Sequence, residues 1–133
     1  MTRRDLWAVA SAALVALAAV SAVLLLDDSD PVTIRGSVHV EDRAAAESGC
    51  RESQALPDVR EGATVSVLSP DWEPLAEAAL GPGRPTAEGC AFPFTLPPVE
   101  GGQGYRIRTP YEDGVLFSLH AVQSGPVDIH LAP

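Results

Sequence analysis

From Val32 onward, apolar residues recur at every second position, in short runs broken by Pro and Gly. Such alternation turns one face of an extended strand toward a core and the other toward water. Ile34, Gly36, Val38 and Val40 share one phase, with Arg35, Ser37 and His39 in the other, which predicts a first strand. Val65 and Val67 mark a second. Ser69-Pro70-Asp71-Trp72-Glu73-Pro74 is a turn by composition and leads to a short return strand over residues 75–80. Cys90, Phe92, Phe94 and Leu96 make the strongest core stripe. Pro93 sits in the opposite phase; because it cannot donate to a ladder, it predicts an edge strand or a bulge. Tyr105, Ile107 and Thr109 alternate with Arg106 and Arg108. Val115, Phe117 and Leu119 predict a further strand after a Glu112-Asp113-Gly114 turn, and Val127, Ile129 and Leu131, interleaved with Asp128 and His130, close the chain. Residues 43–62 and 81–85 lack the alternation and read as loops, with one helical turn at Ala44-Ala45-Ala46-Glu47. The pattern describes an all-β sandwich of about seven short strands.

The first part of the chain follows a different pattern. Residues 6–26 contain no charge, Pro or Gly, and Ser11 and Ser21 are the only polar members. A helix of that length rises roughly 30 Å, the thickness of a bilayer's hydrocarbon core. Arg3 and Arg4 precede it, and Asp27, Asp28 and Asp30 follow it, so the positive-inside rule puts the N-terminus in the cytoplasm. The expected organisation is a cytoplasmic stub over residues 1–5, a transmembrane signal-anchor over 6–26, an acidic linker over 27–31 and an extracytoplasmic domain over 32–133. The expected location is the cell membrane, crossed once. Val20-Ser21-Ala22 offers small residues to a signal peptidase, but Val23 continues the apolar run, which favours a retained anchor. Arg3-Arg4 has the outline of a twin-arginine signal as well as of ordinary flanking charge.

Charge and composition narrow the function classes. The 133 residues carry a formal charge of −9, and beyond the apolar segment seven Arg stand against 17 Asp and Glu. A surface so acidic repels phosphate backbones and anionic headgroups, which argues against nucleic acid as a partner. All nine basic residues are Arg, and Asn is absent, so no N-glycosylation sequon exists.

Ile34-Arg35-Gly36-Ser37-Val38, Gly62-Ala63-Thr64-Val65-Ser66-Val67, Phe92-Pro93-Phe94-Thr95-Leu96-Pro97 and Tyr105-Arg106-Ile107-Arg108 follow one another in that order. Together they resemble the transthyretin-like, or carboxypeptidase-regulatory-like, β-sandwich. With the two Cys around Pro57-Asp58-Val59-Arg60-Glu61-Gly62-Ala63, the chain is similar to small membrane-anchored exported proteins of high-GC Gram-positive bacteria. The resemblance implies an Ig-like or transthyretin-like sandwich and no activity. Pilin-type relatives of that sandwich carry a Lys–Asn isopeptide bond, which a chain with neither residue cannot form.

Candidate chemistry is sparse. Cys50 and Cys90 in an exported chain predict one disulfide, closing a loop worth roughly 4 kcal/mol in chain entropy. A redox pair or two metal ligands are the alternatives, though neither has a supporting motif. His39, His120 and His130 occupy polar phases of their strands, as solvent-facing histidines do; convergence on a metal is the sharper alternative. Asp27-Asp28-Ser29-Asp30 lacks the spacing of a calcium loop. No Gly-x-Ser-x-Gly, paired-His helix or phosphate-cradling loop occurs, so no enzyme, cofactor or metal site is predicted. Trp72, between Asp71 and Glu73, is either a contact point for a partner with a basic rim and an apolar pocket, or a lid over the core edge. The expected function is a membrane-tethered interaction or accessory module docking to another envelope protein. The alternative is a ligand-binding domain for a cation or a cell-wall saccharide.

Overall fold

The computed structural model describes residues 30–51 and 53–133. The stub, the apolar segment 6–26 and residues 27–29 of the linker lie outside the described residues; no helix within the described residues is long and apolar enough to cross a membrane. A compact unit spans Pro31–Pro133.

Its elements are β1 (Arg35–Val40), α1 (Arg43–Glu47), β2 (Thr64–Leu68), β3 (Pro74–Ala79), β4 (Arg84–Pro85), β5 (Cys90–Thr95), β6 (Gly104–Thr109), β7 (Glu112–Ser118), α2 (Leu119–Ser124) and β8 (Val127–Leu131). They form two four-stranded sheets, in the orders β4-β5-β1-β8 and β3-β2-β6-β7. Neighbours are antiparallel except β1 and β8, which run parallel. Ile34, just before β1, and Val38, Val40, Phe92, Phe94 and Ile129 from the first sheet meet Val65, Val67, Tyr105 and Ile107 from the second in one buried cluster. The alternation read from the sequence is thus what closes the core. Gly36 has a specific role in it: a Cβ there would stand 2.0 Å from the Val127 carbonyl oxygen, so β8 can lie against β1 only where β1 has no side chain.

Several boundaries differ from the sequence reading. Arg84–Pro85, expected as loop, adds a short strand and brings the number among the described residues to eight. Pro93 lies in β5, which has a neighbour on each side and pairs with β1 without a bulge. The ring is tolerated because β4 reaches only Ala91 and Cys90. The Pro93 carbonyl faces that open side, accepting from Gly81 N at 2.7 Å, so the missing N–H also points away from the β1 ladder. Glu112, Asp113 and Gly114 belong to β7, and the turn falls instead at Pro110-Tyr111, with Tyr111 at φ 68. Leu119 and His120 lie in α2, capped by Ser118, whose hydroxyl accepts from Ala121 N at 3.1 Å.

The segment between β1 and β2 carries no strand, yet Leu56 and Val59 are buried in the core. Asp42 organises its start. One carboxylate oxygen caps α1 by accepting from Ala45 N at 3.0 Å, and the other accepts from Ser53 Oγ at 2.7 Å. The Ser53 hydroxyl, then the Ala45 N–H, hold the Asp42 carboxyl below its ordinary value of 3.8.

Candidate functional site

Cys50 and Cys90 are bonded to each other, with Cα atoms 5.8 Å apart and 40 residues between them in sequence. The bond joins the end of the α1 turn to the start of β5, and both residues are buried. Both cysteines belong to the buried cluster and are closed to solvent, the surroundings of a structural crosslink.

Two of the three histidines meet. His39 on β1 is in register with His130 on β8, and their rings stack at 4.7 Å between centroids. Asp128, two residues earlier on the same face of β8, places Oδ1 3.0 Å from His39 Nε2. His120 sits on α2 and takes no part in that pair. Among the described residues, no group of three or more His, Cys, Asp or Glu is arranged to hold a metal ion.

The most developed surface feature is built around Trp72. Ser69 to Trp72 form a turn in which Trp72 N donates to Ser69 O at 3.0 Å. The Ser69 hydroxyl accepts from Asp71 N and Glu73 N at 3.2 and 3.1 Å. Trp72 itself adopts φ 69, a left-handed conformation that costs a bulky residue on the order of 1–3 kcal/mol. That conformation folds the ring back toward the outer face of the β6–β7 pair. There the Arg106 guanidinium lies over the indole at 4.3 Å from its centroid, and the Arg108 guanidinium at 6.0 Å. Gly114 makes the room: a Cβ at that position would approach the indole Cζ3 to 3.0 Å.

The arginines are positioned from below. Arg106 Nε donates to Pro70 O, and Arg108 Nε donates to Asp113 O, each at 3.0 Å. The second acceptor is exposed by a register shift in the β6–β7 ladder, which leaves Asp113 and Gly114 facing Arg108 without regular pairing. Leu116 pairs with Arg106 across the ladder and is 54% exposed; Trp72 is 47% exposed. Leu116 and Pro70 both lie against Gly104, so the two side chains border one patch. Asp71, Glu73 and Asp113 are exposed around it.

Trp72 therefore packs on the outside of a sheet and does not cover the core edge. The groups that meet its ring are basic, which the neighbouring acids had not suggested. Arg106, Arg108 and Gly114 were read from the sequence only as strand and turn positions, and Leu116 was not singled out. The one local signal was the unusual pairing of outward Arg at alternate positions in so acidic a chain.

No family model, curated protein or solved structure matches this chain.

Proposed function

We propose that this chain is a membrane-tethered docking module of the cell envelope, with residues 6–26 as its anchor and a transthyretin-like sandwich held outside the cytoplasm. The tether rests on the length and flanking charges of the apolar segment. The docking role rests on one observation: a half-exposed Trp72, held in a left-handed turn, stacked on Arg106 and bordered by Leu116. Trp and Arg dominate binding energy at protein interfaces, and a ring fixed before contact loses little entropy on docking. A partner is another envelope protein that covers this face.

The test is affinity capture of the full chain from solubilised membranes, comparing wild type with Trp72→Ala. A stoichiometric protein partner that is lost in the variant supports docking. A monomer without a partner, stabilised by a cation or a glycan, moves the function to ligand binding. A reporter active only outside the cytoplasm, fused after Pro133, is expected to be active; an inactive fusion overturns the topology.

A further inference from the structure

Arg106 and Arg108 stand out among the arginines of the domain in how they are held. Each Nε is committed to a backbone carbonyl, and each guanidinium lies over the same indole. Among the described residues, no carboxylate comes within the 4.0 Å of an ion pair for either of them, nor for any other arginine; the one such contact is His39 with Asp128. What sets these two apart is that both are anchored beside one ring, with three acids exposed around the patch and none of them paired to either guanidinium. The Nε anchors leave the terminal nitrogens of both side chains for an external acceptor.

We propose that the face formed by Trp72, Arg106, Arg108 and Leu116 binds an extended peptide segment of a partner protein, with carboxylate side chains at alternate positions and an apolar residue beside them. The proposal rests on the docking role above and names its chemistry. A planar carboxylate matches the paired terminal nitrogens of a guanidinium. Arg106 and Arg108 are two residues apart on one strand, about 7 Å, which is also the separation of side chains i and i+2 in an extended peptide. Leu116, directly across from Arg106, and the open side of the indole supply the apolar contact. The surrounding Asp71, Glu73 and Asp113 disfavour a polyanion or an anionic bilayer, because every phosphate beyond the two arginines would meet a like charge. Two discrete carboxylates on a short segment with no further charge, each met by one arginine, avoid that repulsion. Two long, flexible side chains are already ordered by their carbonyl and indole contacts, so binding has little left to immobilise.

Fluorescence anisotropy with the full chain in zwitterionic nanodiscs tests this. The probe is a fluorescein-labelled peptide of sequence Gly-Leu-Thr-Glu-Thr-Glu-Gly. Saturable binding is expected, weakening as sodium chloride is raised, with at least about tenfold loss when both Glu are replaced by Gln. Arg106→Gln and Trp72→Ala should each lose about tenfold in affinity, while Arg35→Gln, on the other sheet, keeps it. Melting temperatures establish that the variants are folded, and Arg108→Gln provides a second probe of the pair. Failure to bind, equal binding of the Gln peptide, or unchanged affinity in folded Arg106→Gln overturns the proposal. So does equal displacement by inorganic phosphate or by phosphatidylglycerol vesicles. If the peptide result fails while capture still depends on Trp72, the docking role stands and its assigned chemistry is wrong. If the peptide binds as expected but capture does not depend on Trp72, the docking role fails independently.

Discussion

Removing the crosslink by the double substitution Cys50→Ala/Cys90→Ala should cost the domain about 4 kcal/mol. The figure follows from the 40-residue separation: closing a loop of that length removes about 13 cal/mol/K of chain entropy from the unfolded state, close to 4 kcal/mol at room temperature. The structure argues that this constraint has no substitute. Between β1 and β2 the chain has no strand to hold it, and its buried anchors are a few side chains such as Leu56 and Val59. Loss of two sulfurs buried in the core cluster adds a small cavity to the same variant. For a unit of roughly 100 residues, about 4 kcal/mol corresponds to a fall of about 20 °C in Tm. Differential scanning calorimetry of the full chain in detergent measures it. Reduced wild type separates the crosslink from the cavity, because reduction keeps the sulfurs. A double variant melting within about 5 °C of wild type would refute the reasoning, since Leu56, Val59 and the Asp42 contacts would then suffice to hold the segment.

Tyr105→Phe should lose about 1–3 kcal/mol in chemical denaturation, because the buried ring's hydroxyl donates to Glu100 O at 2.8 Å and accepts from Gly102 N at 2.9 Å. An unchanged midpoint would show that water replaces both contacts. Asp42 is lowered below 3.8 in the fold, so its contribution is fully present above that value and is lost as pH falls further, through the folded pKa. Asp42→Asn should therefore flatten the decline of Tm in the acid range below 3.8; an unaltered decline would assign it to other carboxylates. Gly114→Val should lift the indole off β7 while leaving the fold intact, read as red-shifted, more readily quenched Trp72 emission in a Trp7→Phe background. Emission identical to the parent would show that the ring is not seated on Gly114.

How much of this was legible in the sequence depends on whether the cause is local. Inward residues of β1, β5, β6 and β8 could be named because a strand repeats every two residues and one side of each is buried. The disulfide was legible because two Cys in a chain read as exported have few other uses. Leu56 and Val59 were not legible, since no period marks residues that reach the core from a loop. Leu119 continued the phase of Val115 and Phe117, and only the Ser118 cap diverts it into α2. Pro93 signalled a missing donor correctly; what satisfied it was a neighbouring strand too short to need that donor. Trp72 could be singled out by composition, but its setting depends on residues 34 to 42 positions away and on a bulge that follows from the pairing of β6 with β7. A glycine read as a turn residue was the seat of an aromatic ring.

The Trp72 patch can be specialised without compromising the fold because the two faces of β6 have separate tasks. Tyr105 and Ile107 point into the core and Arg106 and Arg108 point away from it, so the outer pair contributes nothing to the buried cluster. Two local choices there work against stability. A left-handed Trp costs energy, and a glycine in the edge strand loses propensity. Neither is required by the sandwich: a β-branched residue at Gly114 and a glycine at Trp72 would serve the strands and the turn better. The crosslink at Cys50–Cys90, on the order of 4 kcal/mol, exceeds the strain of the one turn and offsets it at a distance. Left-handed backbone also occurs at Cys50 and Tyr111, but at Trp72 it coincides with a glycine seat and two anchored arginines around one exposed ring, a combination that a binding surface uses and a purely structural turn does not need.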